Sequence, residues 1–353
     1  MLNSFEGGHA LIVAVAHYPM VNPLSEHVLN DGREIHKLLG SPQYCGYPKH
    51  QVQLLIDQES TASAVRERLK GLARDTGPQD TALIYFSGHG GRVEAGPERG
   101  TYLIPYDCDP SRLQATAIES EELTSLLGNI RAGRLVVILD ACHSAGAGEL
   151  KALDPAPVMK AGLDLKTYGV LAEGKGRVLL ASSRANEVSL ILPGKKNSLF
   201  THYLLDALKG AAGTEGDGLI RVFDVFSYVS DKVPAEANQH PVFKAHDVEN
   251  NFPLALYEGG KKAATARGYV KSTRLKTLHG PTRIELNKRL VDRWEDLADY
   301  LEIPLHERAQ FPQGKEPRKV LDWLEQRSRL DLLRDAFNYF EWTDLLKVLD
   351  HPT

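Results

Sequence analysis

The chain has 353 residues, of which 42% are hydrophobic and 25% charged, the composition of a globular protein with room for two domains. Its formal net charge of −4 excludes the basic footprint of a nucleic-acid-binding or membrane-surface protein. The three cysteines, Cys45, Cys108 and Cys142, are too few for a disulfide framework and predict a cytoplasmic protein. No cluster of cysteines and histidines indicates a transition-metal site.

The first 140 residues alternate apolar strands with amphipathic helices. Strands are predicted over residues 10–15, 51–56, 81–86 and 134–139, and helices over residues 25–39, 60–73 and 120–130. Ser60 and Thr61 are candidate N-caps of the second helix. The apolar run from Ala10 to Ala16 is too short for a membrane span or a signal peptide. The alternation predicts an α/β domain with a mostly parallel sheet covered by helices on both faces.

Two of these strands end at reactive side chains. His89 follows the run 81–86, and Cys142 follows the run 134–139. The carboxyl ends of parallel strands are where open α/β sheets place their sites. A thiol is a good nucleophile only as thiolate, and a nearby imidazole can take its proton. Either residue alone has an ordinary structural explanation, as a buried cysteine or a strand-end histidine, but the pair indicates a Cys/His site.

The next segment interrupts the alternation. Residues 149–176 are rich in proline, glycine and lysine and predict a long exposed loop. A strand is then predicted over 177–183 and helices over 198–208 and 222–233, and the segments 240–243 and 251–256 close the domain.

The C-terminal part has a different character. Residues 259–268 contain glycines, small residues and basic charge, and we assign 259–276 as a linker between a domain at 1–258 and a domain at 277–353. From residue 281 the apolar side chains recur at helical spacing, which predicts four or five short helices and no strand. A helical cap packed on the first domain is the alternative interpretation.

The residues around the reactive pair resemble a known family. Tyr85-Phe-Ser-Gly-His-Gly90 and Leu139-Asp-Ala-Cys-His-Ser144 are similar to the histidine and cysteine motifs of the caspase–metacaspase superfamily of cysteine endopeptidases. The sequence Asp-Ala-Cys-His-Ser differs from the caspase motif and is closer to metacaspases and prokaryotic caspase-like proteins. The resemblance covers about the first 255 residues and implies the caspase-like fold.

The resemblance and the chemistry together imply the roles of the site residues. Cys142 is the expected nucleophile and His89 the expected general acid/base, as a dyad without a third member. The backbone N–H groups of Cys142 and Gly90 are the expected oxyanion-hole donors. His143 adjoins Cys142 and is a less favoured alternative base.

The same resemblance implies a pocket for a basic substrate side chain. Metacaspase-like enzymes hold Arg or Lys with two aspartates and a serine, and Asp31, Ser87 and Asp140 stand at the matching places. Two carboxylates in a partly desolvated pocket are best satisfied by a cation. The alternative is that Asp31 is a solvated helix acid or helix cap and Asp140 a strand-end cap.

Two further properties follow from this interpretation. Self-cleavage is expected within the loop, after a basic residue there: Lys151, Lys160, Lys166, Lys175 or Arg177. No cofactor is expected. Asp107, Asp109, Asp154 and Asp164 lack the spacing of a calcium site, and calcium activation is left open.

The C-terminal helices resemble the death-like or effector-associated adaptor domains of prokaryotic caspase-like proteases. Trp294 to Pro304 and Val320 to Arg327 carry this resemblance. It implies a peptidase that is recruited by a partner with a matching domain, in prokaryotic immunity such as antiviral defence or in programmed cell death. The alternatives are a degenerate signalling scaffold and a cysteine hydrolase of small amides.

Overall fold

The computed structural model divides the chain into two compact units, Met1–Ala266 and Arg267–Thr353. The structure describes residues 4–141, 149–150, 159–161, 163, 165–184, 187, 189–248, 250–261, 278, 280–301, 303–327, 330, 332–340 and 342–350. Cys142 lies outside the described residues.

The first unit contains both strands and helices. Its strands are β1 (Gly8–Ala14), β2 (Val52–Ile56), β3 (Thr81–Ser87), β4 (Gly90–Val93), β5 (Gly100–Leu103), β6 (Ile118–Glu119), β7 (Arg134–Asp140), β8 (Glu149–Leu150), β9 (Met159–Ala161), β10 (Arg177–Ala181), β11 (Leu219–Arg221), β12 (Val242–His246) and β13 (Pro253–Leu256). Its α-helices are α1 (His27–Leu39), α2 (Ala62–Asp75), α3 (Leu113–Thr116), α4 (Ser120–Gly128), α5 (Leu165–Ala172), α6 (Leu199–Asp206) and α7 (Val222–Glu236).

The central sheet has six strands in the order β12-β10-β7-β3-β1-β2. All neighbours are parallel except the edge pair of β10 and β12. The sheet separates two apolar layers, one packed with α2, α4 and α5 and the other with α1, α6 and α7. Strands covered on both faces need apolar side chains throughout, and all seven residues of β3 are buried. The predicted mostly parallel sheet flanked by helices is confirmed.

A smaller antiparallel sheet follows His89 directly. Its strands lie in the order β6-β5-β4-β9-β8, and β4 begins at Gly90. The sequence analysis did not predict it, because its strands are two to four residues long. Runs of this length carry little periodic signal. The strands β11 and β13 form a separate antiparallel pair.

The segment predicted as an exposed loop over 149–176 is in part regular and buried. It contributes β8 and β9 to the small sheet and the helix α5 to the domain. Tyr168 and Leu171 of α5 are 0% and 1% exposed and belong to the apolar layer that contains α4. The prediction of one continuous exposed loop was wrong, because burial of these side chains outweighs the low helix propensity of Gly169.

The second unit is helical. Its helices are α8 (Gly280–Arg289), α9 (Trp294–Tyr300), α10 (Leu305–Arg308), α11 (Glu316–Gln326), α12 (Leu332–Tyr339) and α13 (Thr343–Asp350). They enclose their own core, in which Leu286, Leu297, Leu324, Leu333 and Phe337 are all fully buried. The described part of this unit thus has six helices, where four or five were predicted.

The first residues of the predicted linker belong to the first unit. The Gly259 N–H donates to the Tyr44 carbonyl at 2.9 Å, and Gly260 is buried. Gly259 has a φ of +66°, and a Cβ there would lie 2.6 Å from the Pro42 carbonyl oxygen. Glycine is therefore required at this position for close packing rather than for flexibility.

Candidate active site

The backbone of His89 is fixed from two sides. The residue lies in the short connection between β3 and β4 and is 4% exposed. Its N–H donates to the Tyr18 Oη at 2.8 Å, and its carbonyl accepts from the Ile104 N–H at 3.0 Å. The two bonds hold the connection in one conformation at the carboxyl end of the sheet.

The imidazole of His89 is oriented by the backbone of a different loop. Its Nε2 lies 2.8 Å from the Asn22 carbonyl oxygen. A carbonyl oxygen only accepts, so Nε2 carries the proton of the neutral ring and Nδ1 is the nitrogen that can take up another. The Tyr18 ring packs against the imidazole with 5.0 Å between the ring centroids. The geometry thus assigns the basic nitrogen, which the sequence does not.

An ion-paired histidine anchors the loop that carries Tyr18 and Asn22. The His17 Nδ1 lies 2.7 Å from Asp57 Oδ2, and its Nε2 lies 3.1 Å from Glu26 Oε1. The hydrogen bond that the His17 ring donates to the Asp57 carboxylate raises the pKa of His17. Burial alone would raise the pKa of Asp57, but hydrogen bonds from the Ala16 and His17 N–H groups and the His17 ring outweigh it and lower that pKa. The start of the loop is therefore tied to the element after β2.

The end of β7 lies directly beside His89. Ser87 pairs with Asp140 in register, the Gly88 N–H donates to the Asp140 carbonyl at 3.3 Å, and the Gly90 N–H donates to the Ala141 carbonyl at 3.0 Å. Ala141, the residue before the predicted nucleophile Cys142, is therefore hydrogen-bonded to Gly90, the residue after His89. Cys142 and the alternative base His143 themselves lie outside the described residues.

The same bonds correct one prediction. The Gly90 N–H was expected to be an oxyanion-hole donor, but it is engaged by Ala141. A Cβ at Gly90 would lie 3.0 Å from the Ala141 oxygen and 3.3 Å from Leu163 Cδ2. In this structure the glycine serves the close packing of β4 against the end of β7.

The two described cysteines are poor nucleophiles. Cys45 and Cys108 are buried and free, and burial raises the pKa of each thiol to about 12. Since the thiolate is the nucleophile, a thiol with so high a pKa is unreactive near neutral pH.

The three predicted pocket residues lie in one buried polar cluster at the ends of β3, β7 and the middle of α1. Asp31, Ser87 and Asp140 are each 0% exposed. Burial, followed by the charge of Asp140, raises the pKa of Asp31 well above its ordinary value. Two carboxylates this close in a desolvated site disfavour simultaneous ionisation, which is the electrostatic condition expected of a cation pocket.

The N-terminus of α6 links the two carboxylates. The Ser198 N–H donates to Asp31 Oδ1 at 3.2 Å, and the Ser198 hydroxyl donates to Asp140 Oδ2 at 2.7 Å. The Asn197 side chain donates to Asp31 at 2.7 Å, and the Thr201 hydroxyl donates to Asp140 at 3.3 Å. The sequence analysis missed Asn197 and Thr201. Ser198 was detectable as a helix start, and its hydroxyl also caps α6 by accepting from the Thr201 N–H at 3.1 Å.

Helix α1 holds the segment that leads into α6. The His27 Nε2 lies 3.0 Å from the Lys195 carbonyl oxygen, and the Asn30 amide donates to the Lys196 carbonyl at 2.8 Å. His27, Asn30 and Asp31 lie on one face because residues three and four apart are neighbours on a helix. Asp31 and Asp140 therefore also hold the N-terminus of α6, a structural role similar to the alternative in which they serve as caps.

The predicted self-cleavage residues fall in different environments. Lys166 on α5 and Lys175 are exposed. Lys160 belongs to β9, where it pairs with Arg92, and Lys151 lies outside the described residues. Arg177 is 4% exposed and begins β10 inside the central sheet, so the prediction of cleavage after it was wrong. A peptide bond paired on both sides in a sheet is not an accessible extended substrate.

The acids considered for calcium have local partners where the structure describes them. Asp107 accepts from the Ala62 N–H at 2.8 Å, and Asp109 accepts from the Ser111 N–H at 3.0 Å. Asp154 and Asp164 lie outside the described residues. No group of three or more potential metal ligands occurs among the described residues. None of the helices in the described ranges has the length and apolar character needed to cross a bilayer.

Comparisons with known proteins match both units. Residues 7–253 match the family described as Caspase domain, and residues 280–352 match the family described as Bacterial Death-like domain 3. The chain is 27% identical over 151 residues to Metacaspase-1B of Aspergillus terreus, covering 40% of this chain and 39% of that protein. It is 26% identical over 149 residues to Metacaspase-7 of Arabidopsis thaliana, covering 39% of this chain and 34% of that protein.

These curated relatives are longer than the matched region, and the chain spans 39% and 34% of their lengths. The solved structure of protein GSU0716 from Geobacter sulfurreducens is also similar. It has 18% sequence identity and a TM-score of 0.48, and the match covers 71% of this chain and 99% of that one.

Proposed function

Because the chain belongs to the caspase domain family, we propose that it is a cysteine endopeptidase with Cys142 as nucleophile and His89 as general base. The observation that carries the proposal is the pair of backbone hydrogen bonds from Gly88 and Gly90 to Asp140 and Ala141. They bring the residue before Cys142 against the residue after His89. The buried, unreactive thiols of the other two cysteines support the same assignment.

The proposed reaction uses the tautomer that the Asn22 carbonyl fixes. The His89 Nδ1 takes the thiol proton, and the thiolate adds to the substrate carbonyl to give a tetrahedral oxyanion. The oxyanion collapses as the C–N bond breaks, and His89 returns the proton to the leaving amine. Water, deprotonated by His89, then hydrolyses the thioester. The Cys142 N–H is the proposed oxyanion donor, and this sequence of steps needs no cofactor.

The proposed specificity is for Arg or Lys on the amino side of the cleaved bond. The buried cluster of Asp31, Ser87 and Asp140 supports it, since an incoming cation would relieve the repulsion that raises the pKa of Asp31. The competing role of the carboxylates is to hold the N-terminus of α6. The two roles differ in outcome, because only a pocket changes which residues are cleaved.

Self-processing is proposed within residues 149–176. Lys151, Lys160, Lys166 and Lys175 remain the proposed cleavage positions. Of these, the exposed Lys175 lies between α5 and β10, outside regular structure. Cleavage there requires no helix to unfold. Mass spectrometry of wild type and of Cys142→Ala after incubation would locate the cuts, and cuts that persist in the variant would rule out self-processing.

Recruitment is the proposed role of the helical unit. The match to Bacterial Death-like domain 3 supports binding to a partner protein that carries a matching domain. The proposed context is prokaryotic immunity, including antiviral defence, or programmed cell death, in the cytoplasm. Neither nucleic acid nor a membrane is a proposed partner.

A peptide library tests the proposal directly. Wild type, Cys142→Ala and His89→Ala are incubated with the library, with and without calcium, and the cuts are sequenced. We expect cleavage after Arg and Lys by wild type and a loss of at least about a hundredfold in each variant. Cys45→Ala is the matched control and should cleave normally. Unchanged activity in Cys142→Ala would contradict the dyad, and no cleavage of any peptide would favour a scaffold or a small-amide hydrolase.

A further inference from the structure

A cavity of about 740 Å³ lies at the edge of the central sheet where the parallel strands begin. Pro78, Leu135 and Arg177 line it, next to the first residues of β3, β7 and β10. The strands β3 and β7 run from this edge to Ser87 and Asp140 at the other. The cavity is therefore at the opposite end of the sheet from His89, and its volume lies within the range of small-molecule sites.

Arg177 presents an unusual electrostatic situation beside this cavity. The side chain is 4% exposed, and its Nη1 donates to the Leu171 carbonyl at 3.3 Å. Among the residues that the structure describes, its buried Nε has no hydrogen-bond partner. Burial lowers the pKa of Arg177, and the charge of Glu173 offsets part of this effect.

An arginine remains charged in proteins, so Arg177 is a buried cation that the described residues compensate only in part, through the charge of Glu173. Such a charge destabilises the fold unless an anion compensates it. The hydrogen bond to the Leu171 carbonyl at the end of α5 gives one guanidinium N–H a partner by helix capping. It gives no partner to the Nε. The cavity is the open space from which a compensating anion can approach.

The other residues around the cavity add charge and apolar surface. Arg131 and Lys175 line it and are exposed, and together they outnumber the one exposed acid in the lining, Glu173. Leu127 and Ile130 supply buried apolar surface. The lining thus combines a buried arginine with exposed cations and an apolar wall.

We propose that this cavity binds a small organic anion whose carboxylate or phosphate group is held by Arg177 and whose apolar part packs against Leu127 and Ile130. The planar guanidinium favours oxyanions because its parallel N–H groups match their geometry. The site is independent of the proposed peptidase chemistry, and its test requires no activity.

Isothermal titration calorimetry of the full chain with three probes tests the proposal. The probes are octanoate, octyl phosphate and the uncharged octanamide. At least one anion should bind at least about tenfold more tightly than octanamide, a difference of about 1.4 kcal/mol. The tighter of the two anions identifies the acidic group. Arg177→Met should lower the affinity for that anion by at least about tenfold while leaving octanamide unchanged.

A second variant leaves Arg177 in place. Gly128 of α4 lines the cavity, and a Cβ there meets no atom within 4 Å, so the Cβ of Gly128→Leu enters without a clash and its side chain extends from the cavity lining. It should weaken binding of the anion. Gly169→Leu is the matched control, because Gly169 is a helical glycine with equally open surroundings outside the cavity lining.

Three results would overturn the proposal. They are the absence of binding by either anion at millimolar concentration, equal binding of octanamide, and unchanged anion affinity in Gly128→Leu or in a folded Arg177→Met. If Arg177→Met does not fold, Gly128→Leu decides alone.

Discussion

Replacing Tyr18 by Phe isolates the backbone support of His89. The change keeps the aromatic ring that packs 5.0 Å from the imidazole and removes only the hydroxyl that accepts the His89 N–H. Tyr18 is 7% exposed and His89 4% exposed, so water does not readily replace the lost acceptor. The variant therefore leaves a buried donor unsatisfied at the proposed base.

The expected magnitude follows from that unsatisfied donor. A buried polar group that loses its partner costs about 1–3 kcal/mol. We expect the free energy of unfolding of Tyr18→Phe to fall by that amount. We also expect kcat/KM to fall by a factor of about ten, since a shift of the His89 backbone moves the imidazole from the Asn22 carbonyl, and tenfold corresponds to about 1.4 kcal/mol of barrier.

Tyr47→Phe is the matched control. The Tyr47 Oη donates to the Leu254 carbonyl at 2.6 Å in an equally buried place. Urea unfolding and cleavage of an Arg-containing peptide are measured for both variants. Both should lose stability, but only Tyr18→Phe should lose kcat/KM in its folded state. Equal kcat/KM in the two variants would refute the view that Tyr18 positions the proposed base.

Three other predictions concern the pocket, the domain boundary and pH. Asp140→Asn should cost about 2–5 kcal/mol of transition-state stabilisation for Arg peptides, the range for removing one partner of a buried charge pair. The control variant Asp109→Asn should cleave Arg peptides like wild type. If Asp140→Asn lowers kcat/KM for uncharged peptides by a similar factor, the result would favour the role of Asp140 in anchoring α6. A chain ending at Lys261 should cleave peptides like the full chain, because Gly259 and Gly260 complete the first unit; an insoluble or inactive product would show that the helices are required. His17→Gln should lower stability in urea titrations below about pH 6.5. The difference from wild type should shrink as pH rises through the folded-state pKa of His17, because Asp57 raises that pKa and stabilises the protonated ring more than the neutral one. A pH-independent difference would contradict the ion-pair explanation.

The strand-end positions of the site could be predicted because they follow from local pattern. A buried parallel strand needs an apolar run, and the chain leaves the sheet where that run stops, so Ser87 and Asp140 were placed at strand ends without coordinates. Caps follow the same local rule. Thr61 was a candidate cap and does accept from the Ala64 N–H at 3.2 Å.

The supports of the site could not be predicted in this way. Asn22 orients His89 through its backbone carbonyl, a group that every residue has, from 67 positions away in the chain. Ser198 links Asp31 and Asp140 by donating hydrogen bonds to both carboxylates. It reaches this position only because α6 packs against α1. No periodicity or spacing encodes such contacts.

Apolar periodicity within single segments is enough to predict the mostly parallel sheet, the two-part division of the chain and the two strand-end motifs. Which polar groups are satisfied depends instead on contacts between segments that are distant in the chain. Lysine and glycine made residues 149–176 look like one exposed loop, yet burial of Tyr168 and Leu171 turns part of it into α5. Arg177 looked like a surface cleavage position, and the sheet makes it a buried cation beside a cavity. Burial is a property of the whole packed domain. It therefore decides whether a given lysine, arginine or glycine lies on the surface or inside, which the local sequence pattern cannot distinguish.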